Sequence, residues 1–208
     1  MLPRPFTYGD LKTLASKPGF AGAISGMCRD NSIMEWLPEA FWLDSHVHRE
    51  LHHPEGNPLD HTLACLEVAD SLDYDAISKT ALLFHDIGKA ASAGGYDRFK
   101  HPYHNFLRHE ERGIPVFDCI AGRLRVPDED ADVIRYCIRF HMHSHRFQKM
   151  EKHSVLEIVL SPYYPVLKNV SYADCASRRE NFRQDEILAS FAYAEDLADS
   201  FCSWFRDS

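Results

Sequence analysis

Residues 82–90 read LLFHDIGKA. An apolar run ends on a histidine and an aspartate side by side, followed at once by Gly88 and Lys89. A carboxylate beside an imidazole in an apolar setting is costly unless a counter-charge or a cation compensates it. Imidazole nitrogen and carboxylate oxygen together suit divalent ions such as Zn, Mn, Fe, Co, Ni or Mg. Adjacent helical residues point about 100° apart, so His85 and Asp86 can face one ion only at a special place such as a helix end. Gly88 permits close backbone approach. Lys89 places a positive charge where a phosphate can sit, or pairs with Asp86; both readings stand at this point.

Working outward, the partners of this dipeptide are spread along the chain. Asp60 reads as the N-cap of a helix through Leu72, on which His61, Cys65, Val68 and Leu72 share one face. A second helix starts near Tyr74, turns Ile77, Ala81, Phe84 and Ile87 inward, and stops at Gly88. His109 precedes a helix over 115–124 that opens on Pro115. His141 ends a helix over 128–141 that opens on Asp128, Glu129 and Asp130. Asp174 lies inside a helix over 164–179. Short helices at 9–17 and 20–28, a Pro38-interrupted one at 32–43, and further helices at 150–160 and 183–206 complete the reading. Strand signals are weak everywhere, so the expected class is all-α, a helical bundle with inward-facing metal ligands in the order H…HD…H…H…D.

The chain has 208 residues, 45% of them apolar, with a net charge of −8. It can bury a real core, and its charge argues against a non-specific grip on nucleic-acid backbone. The six cysteines form no C-x-x-C and read as buried free thiols of a reducing compartment. With no signal peptide and no apolar run near the ~20 residues that span a bilayer, the expectation is a soluble cytoplasmic protein without a membrane partner. The 13 histidines are many for this length, and their placement needs sorting. His46 and His48 in a polar loop, His52 and His53 before Pro54, and His101 and His104 in a polar insert read as rim or loop residues. In HMHSH (141–145), His141 and His145 share a helix face and His143 points elsewhere. His153 reads as surface.

The pattern resembles the HD-domain metal-dependent phosphohydrolases. It is closer to one branch, the C-terminal HD domain of bacterial CCA-adding tRNA nucleotidyltransferases. The stretches that carry this are HPEGNPLDHT (53–62), ALLFHDIGKA (81–90), HEERGIPVFDCIAGRLRVP (109–127), RFHMHSH (139–145) and YADCASR (172–178). The resemblance runs in order from about Met27 to Arg179. It implies that His61, His85, Asp86 and Asp174 bind a catalytic divalent metal, and that His109 and His141 bind a second ion or the phosphate. It implies hydrolysis of 2′,3′-cyclic nucleotides, 2′-nucleotides or 2′-phosphates, on a nucleotide or an RNA 3′ end. Asp86, Lys89, His109 and His141 are the expected catalytic residues, and Lys89, His145 and Arg178 the expected substrate contacts, with Arg178 and Arg179 also readable as salt-bridged. Residues 46–208 would form the phosphohydrolase domain and residues 1–45 a helical appendage packed on it. GGYDR (94–98) and DYD (73–75) imitate nucleotide-transferring motifs, but their order is reversed and strand context is missing, so CCA addition is not expected. Two other readings remain: the same chemistry on free nucleotides (a nucleotidase, a dNTP hydrolase or a cyclic-nucleotide phosphodiesterase), and a non-catalytic, metal-stabilised RNA-binding module using a basic strip such as Arg123, Arg125, Arg135, Arg139 and Arg146.

Overall fold

A computed structural model describes residues 4–45, 56–91, 106–178 and 184–207. Among them the chain is all-α, as the periodicities predict. The helices are α1 (Tyr8–Ala15), α2 (Phe20–Arg29), α3 (Ala40–Ser45), α4 (Pro58–Ser71), α5 (Ala76–Phe84), α6 (His109–Leu124), α7 (Asp128–Ser144), α8 (Lys152–Val159), α9 (Tyr164–Ala176) and α10 (Gln184–Asp207), with 3-10 turns at Ser32–Glu35, Ile87–Ala91 and Phe147–Lys149. None of these helices is long and apolar enough to cross a membrane.

The arrangement follows from α5. Its sequence AISKTALLF is apolar nearly all round, and such a helix must be enclosed. Every residue from Ser78 to Lys89 is buried. Helices α1, α4, α7 and α9 pack around α5. The one cation inside α5, Lys79, meets Asp70 of α4 at 2.8 Å. The other Asp70 oxygen accepts the Ala21 N–H at the start of α2, also at 2.8 Å. A buried lysine is thereby compensated, and α2 is tied to the same carboxylate. Apolar side chains from α1 to α10 form one continuous core.

Several boundaries differ from the sequence reading, each for a local reason. The cap of α4 is Asn57, whose side chain accepts the Asp60 N–H at 2.8 Å, with Pro58 as first helical residue. Asp60 stands in the first turn instead, where its charge favours the helix dipole. Helix α5 is capped by Asp75 through the Ser78 N–H at 2.8 Å. Helix α6 begins at His109 rather than Pro115, because Arg108 turns left-handed (φ 58°) and Glu110 and Glu111 supply the acidic first turn. Helix α7 continues to Ser144, so His141 lies in its last turn.

Helix α5 ends at Phe84, not at Gly88, with His85 at its C-cap, and the chain then tightens into the 3-10 turn. Gly88 serves close packing rather than termination. A Cβ there would stand 1.9 Å from the His109 carbonyl oxygen and 2.5 Å from the Gly113 nitrogen. A Cβ on Gly113 would stand 2.7 Å from Ile138 of α7. Two glycines thus let the turn after His85-Asp86, α6 and α7 approach closely.

Gly88→Ala should therefore destabilise the fold by about 1–3 kcal/mol through overpacking. Gly122→Ala, at an exposed helical site where an added Cβ meets nothing within 4 Å, should stabilise by about 0.5–1 kcal/mol. Urea denaturation of the two variants checks the opposite signs.

Candidate metal centre

His85 and Asp86 sit at the break between α5 and the 3-10 turn, so both side chains project to the same interior side. Helix α4 brings His61, α6 His109, α7 His141 and α9 Asp174. All six are buried, none more than 8% exposed.

Their hydrogen bonds fix which nitrogen faces inward. His85 Nδ1 lies 2.7 Å from the Leu82 carbonyl, His109 Nδ1 3.0 Å from that of Phe106, and His141 Nδ1 2.9 Å from that of Ile138. A carbonyl can only accept, so each Nδ1 carries the proton and each Nε2 offers a lone pair. His61 Nδ1 lies 3.4 Å from the Ser177 hydroxyl, which itself donates to the Asp174 carbonyl at 2.9 Å. That hydroxyl's hydrogen is already used, so His61 Nδ1–H is the donor there too. Outer bonds of this kind are what orient histidines toward a metal.

The Nε2 atoms converge on the two carboxylates. Asp86 Oδ1 lies 3.1 Å from His109 Nε2 and 3.6 Å from His141 Nε2. Asp86 Oδ2 lies 3.3 Å from His85 Nε2 and 3.7 Å from His61 Nε2. Asp174 Oδ1 lies 2.9 Å from His61 Nε2. The His109 and His141 Nε2 atoms are 3.2 Å apart. Lone pairs so close to one another and to carboxylates require a proton or a cation between them. His85 Nε2 is fully buried and makes no hydrogen bond, although Asp86 Oδ2 stands 3.3 Å away. An orphaned buried nitrogen is expensive, and a metal ion satisfies it.

Two donor groups are close enough to hold ions: His61, Cys65, His85 and Asp174, and Asp86, His109 and His141. Asp86 touches both sets, one oxygen to each side. The donor chemistry fits a divalent ion.

The charges around the centre are paired. Burial works against the Asp86 carboxylate, but Lys89, at 2.6 Å, and the surrounding imidazoles hold its pKa well below the ordinary value. Burial likewise opposes Asp174, and Arg178, at 2.7 Å, with His145 and His61 overcomes it. Burial drives His141 down to about 4. His109 is also disfavoured by burial, yet its bond to Asp86 raises it overall. His145 is pushed up to about 9, the Asp174 bond outweighing burial.

The sequence-predicted residues are thus brought together. Lys89 is buried against Asp86 and over the Phe106 ring at 5.6 Å. The side chains of His145 and Arg178 are 25% and 28% exposed and reach Asp174 from the rim. His143 packs against Phe140 instead, and His153 is exposed beside Ser154. Arg123 pairs with Glu39, and Arg135 with Asp118 and Asp132, so two members of the expected basic strip are already engaged. Asp75 of the DYD stretch is occupied as a helix cap. His46, His48, His52, His53, His101, His104, Arg179 and GGYDR (94–98) lie outside the described residues. Sequence reading did not count Cys65 among the candidate donors; its Sγ joins the group of His61, His85 and Asp174, and the signal available for it was its place one turn after His61 on the same face.

A divalent ion at this centre should raise stability by about 2.7 kcal/mol at a hundredfold excess over its Kd. Chelator-stripped protein unfolded in urea with and without added ion tests this, and His85→Ala should lose most of the increment.

No family model matches the chain. It is similar to proteins named multifunctional CCA protein. That of Alkalilimnicola ehrlichii is 33% identical over 123 residues, which cover 59% of this chain and 28% of that protein. That of Halorhodospira halophila is 34% identical over 123 residues, with the same shares covered. That of Pseudomonas aeruginosa is 29% identical over 130 residues, covering 62% of this chain and 30% of that protein. The match thus spans less than a third of the length of these relatives. Over about 60% of its own length the chain is similar to one part of the multifunctional CCA proteins, and its buried histidine–aspartate centre fits an HD-domain region.

Proposed function

We propose that the chain is a divalent-metal-dependent phosphohydrolase acting on phosphate esters of nucleotides or RNA 3′ ends, with 2′,3′-cyclic phosphodiesters, 2′-nucleotides and 2′-phosphates as favoured substrates. The observation that supports this is the convergence of four Nε2 lone pairs on two buried carboxylates, with each imidazole held by its other nitrogen. His61, His85, Asp86 and Asp174 would hold one ion, and His109 and His141, with Asp86, a second. A divalent ion supplies an acidified water as nucleophile and polarises the phosphoryl oxygens.

The chain's own groups do the rest. Lys89 neutralises Asp86 and sets positive potential behind the reacting phosphate. His145 and Arg178, partly open to solvent, offer N–H donors to a phosphate arriving at the rim. His109 and His141, where no second ion engages them, are imidazoles able to pass a proton to the leaving oxygen. In this reading residues 46–208 form the phosphohydrolase domain, and residues 1–45 a helical appendage resting on it. The similarity to the multifunctional CCA proteins supports an RNA-end substrate.

A second reading keeps the chemistry and moves the substrate to free nucleotides. The net charge of −8 and the engagement of Arg123 and Arg135 by carboxylates favour a small substrate over a long RNA contact.

The test is hydrolysis of 2′,3′-cyclic AMP by purified protein with Mn, Co, Ni or Mg, beside Asp86→Ala. Metal-dependent turnover should fall by about 10²–10³-fold or more in the variant, in line with losing electrostatic stabilisation at the reacting centre. Turnover of nucleoside mono- or triphosphates alone would select the second reading. No turnover of any of these with any metal would overturn both.

A further inference from the structure

Cys65 is fully buried on α4, one turn after His61. Its Sγ lies 3.6 Å from His61 Nε2, the nitrogen turned toward the centre. It belongs to the group whose donor atoms, with those of His61, His85 and Asp174, all lie within 4.8 Å of one another. Bonds of about 2.3 Å to sulfur and about 2.0 Å to nitrogen, opened to a tetrahedral angle, put two ligands of one ion about 3.5 Å apart. A second, independent observation points to the same spot: His85 Nε2, buried and without a hydrogen bond, faces this group. The thiol's present contacts are weak ones, to the Ser177 hydroxyl at 3.3 Å and to the His61 ring nitrogens at 3.6 and 4.0 Å.

We propose that Cys65 is a ligand of the ion held by His61, His85 and Asp174, making this position a mixed imidazole, carboxylate and thiolate site. The proposal rests on the metal reading of the centre and adds to it the class of ion. On ligation the S–H bond breaks, the proton leaves to solvent, and the sulfur lone pair forms the bond to the ion. Ser177 gives up the thiol contact and keeps its bonds to His61 and Asp174. A soft thiolate selects Zn, Co(II), Ni or Fe over the hard ion Mg, which takes oxygen ligands. The position formed by Asp86, His109 and His141 has no sulfur and accepts harder ions.

The experiment is a cobalt(II) titration of chelator-stripped protein followed by absorption. It uses a background in which the exposed Cys119 and Cys202 are changed to serine. Near-ultraviolet sulfur-to-cobalt charge transfer reports the thiolate, and the visible ligand-field bands report binding itself. The expected result is both features in the parent. Cys65→Val should lose the charge-transfer band, keep visible bands, and bind at least about tenfold more weakly, since even outer-shell changes act on that scale. If Cys65→Val does not fold, Cys65→Ser serves the same comparison, with an oxygen in place of sulfur. Visible bands without charge transfer in the parent would overturn the proposal and leave the metal centre standing. Charge transfer that persists in both Cys65 variants would overturn it too. A parent that takes up no cobalt, behaving like Asp174→Ala, would overturn the metal reading and this proposal together.

Discussion

Two carboxylates buried among helices set the terms for everything around them. Asp86 and Asp174 are at most 3% exposed, and an unpaired charge at that depth is not tolerated. Each has recruited a cation from close by in the chain. Lys89 lies three residues after Asp86, in the 3-10 turn that follows it, and Arg178 four residues after Asp174, just beyond the end of α9, so short chain separation delivers the partner. Each has also drawn imidazoles from other elements. Asp86 gathers α4, α6 and α7 around the end of α5, and Asp174 joins α9 to α4. The centre is therefore also a joint between helices, and its polar groups help specify which helix ends meet there.

The close packing is arranged to serve that joint. His109 can reach Asp86 because the first residue of α6 lies directly against Gly88, two residues beyond Asp86. Any side chain at Gly88 would push the His109 carbonyl away. Gly113 extends the contact one turn further, to Ile138, whose carbonyl fixes the His141 tautomer. The same backbone that packs the helices thus also aims the imidazoles.

Much of this was legible in the sequence, and the parts that were not share a cause. The helical class and the helices themselves follow from apolar periodicity, and the cost of a buried His-Asp pair singled out His85 and Asp86; the roles of His61, His109, His141 and Asp174 as candidate ligands came from the resemblance, and the fold brings their side chains to the same place. Helix ends were less legible, because they depend on single caps and on a left-handed residue such as Arg108, which carries no strong turn signal. Gly88 was read both as a stop signal and as a point of close backbone approach; the second reading holds, and that the approaching element is α6 is a tertiary fact that local sequence does not encode. The pairing of Lys89 was open for the same reason, since only three-dimensional placement sets an ammonium 2.6 Å from Asp86. Cys65 is the opposite case. Its spacing from His61 was noted, but a cysteine on an apolar face reads as core until a second donor is seen beside it.

On the proposed function, the charge balance reconciles an acidic protein with an anionic substrate. Asp86 and Asp174 are offset one for one by Lys89 and Arg178, and imidazoles in the neutral form add nothing. Any divalent ion is then surplus positive charge in a buried setting, where its field is weakly screened. A thiolate from Cys65 would remove one unit of that surplus, and still leave the first position net positive. His145, raised to about 9 and partly exposed, adds positive charge at the entrance while Asp174 holds it. The overall charge of −8 is therefore no obstacle to a phosphate ester. On the proposed reading, the general surface would repel polyanions while the local surplus would draw a terminal or free phosphate to one place.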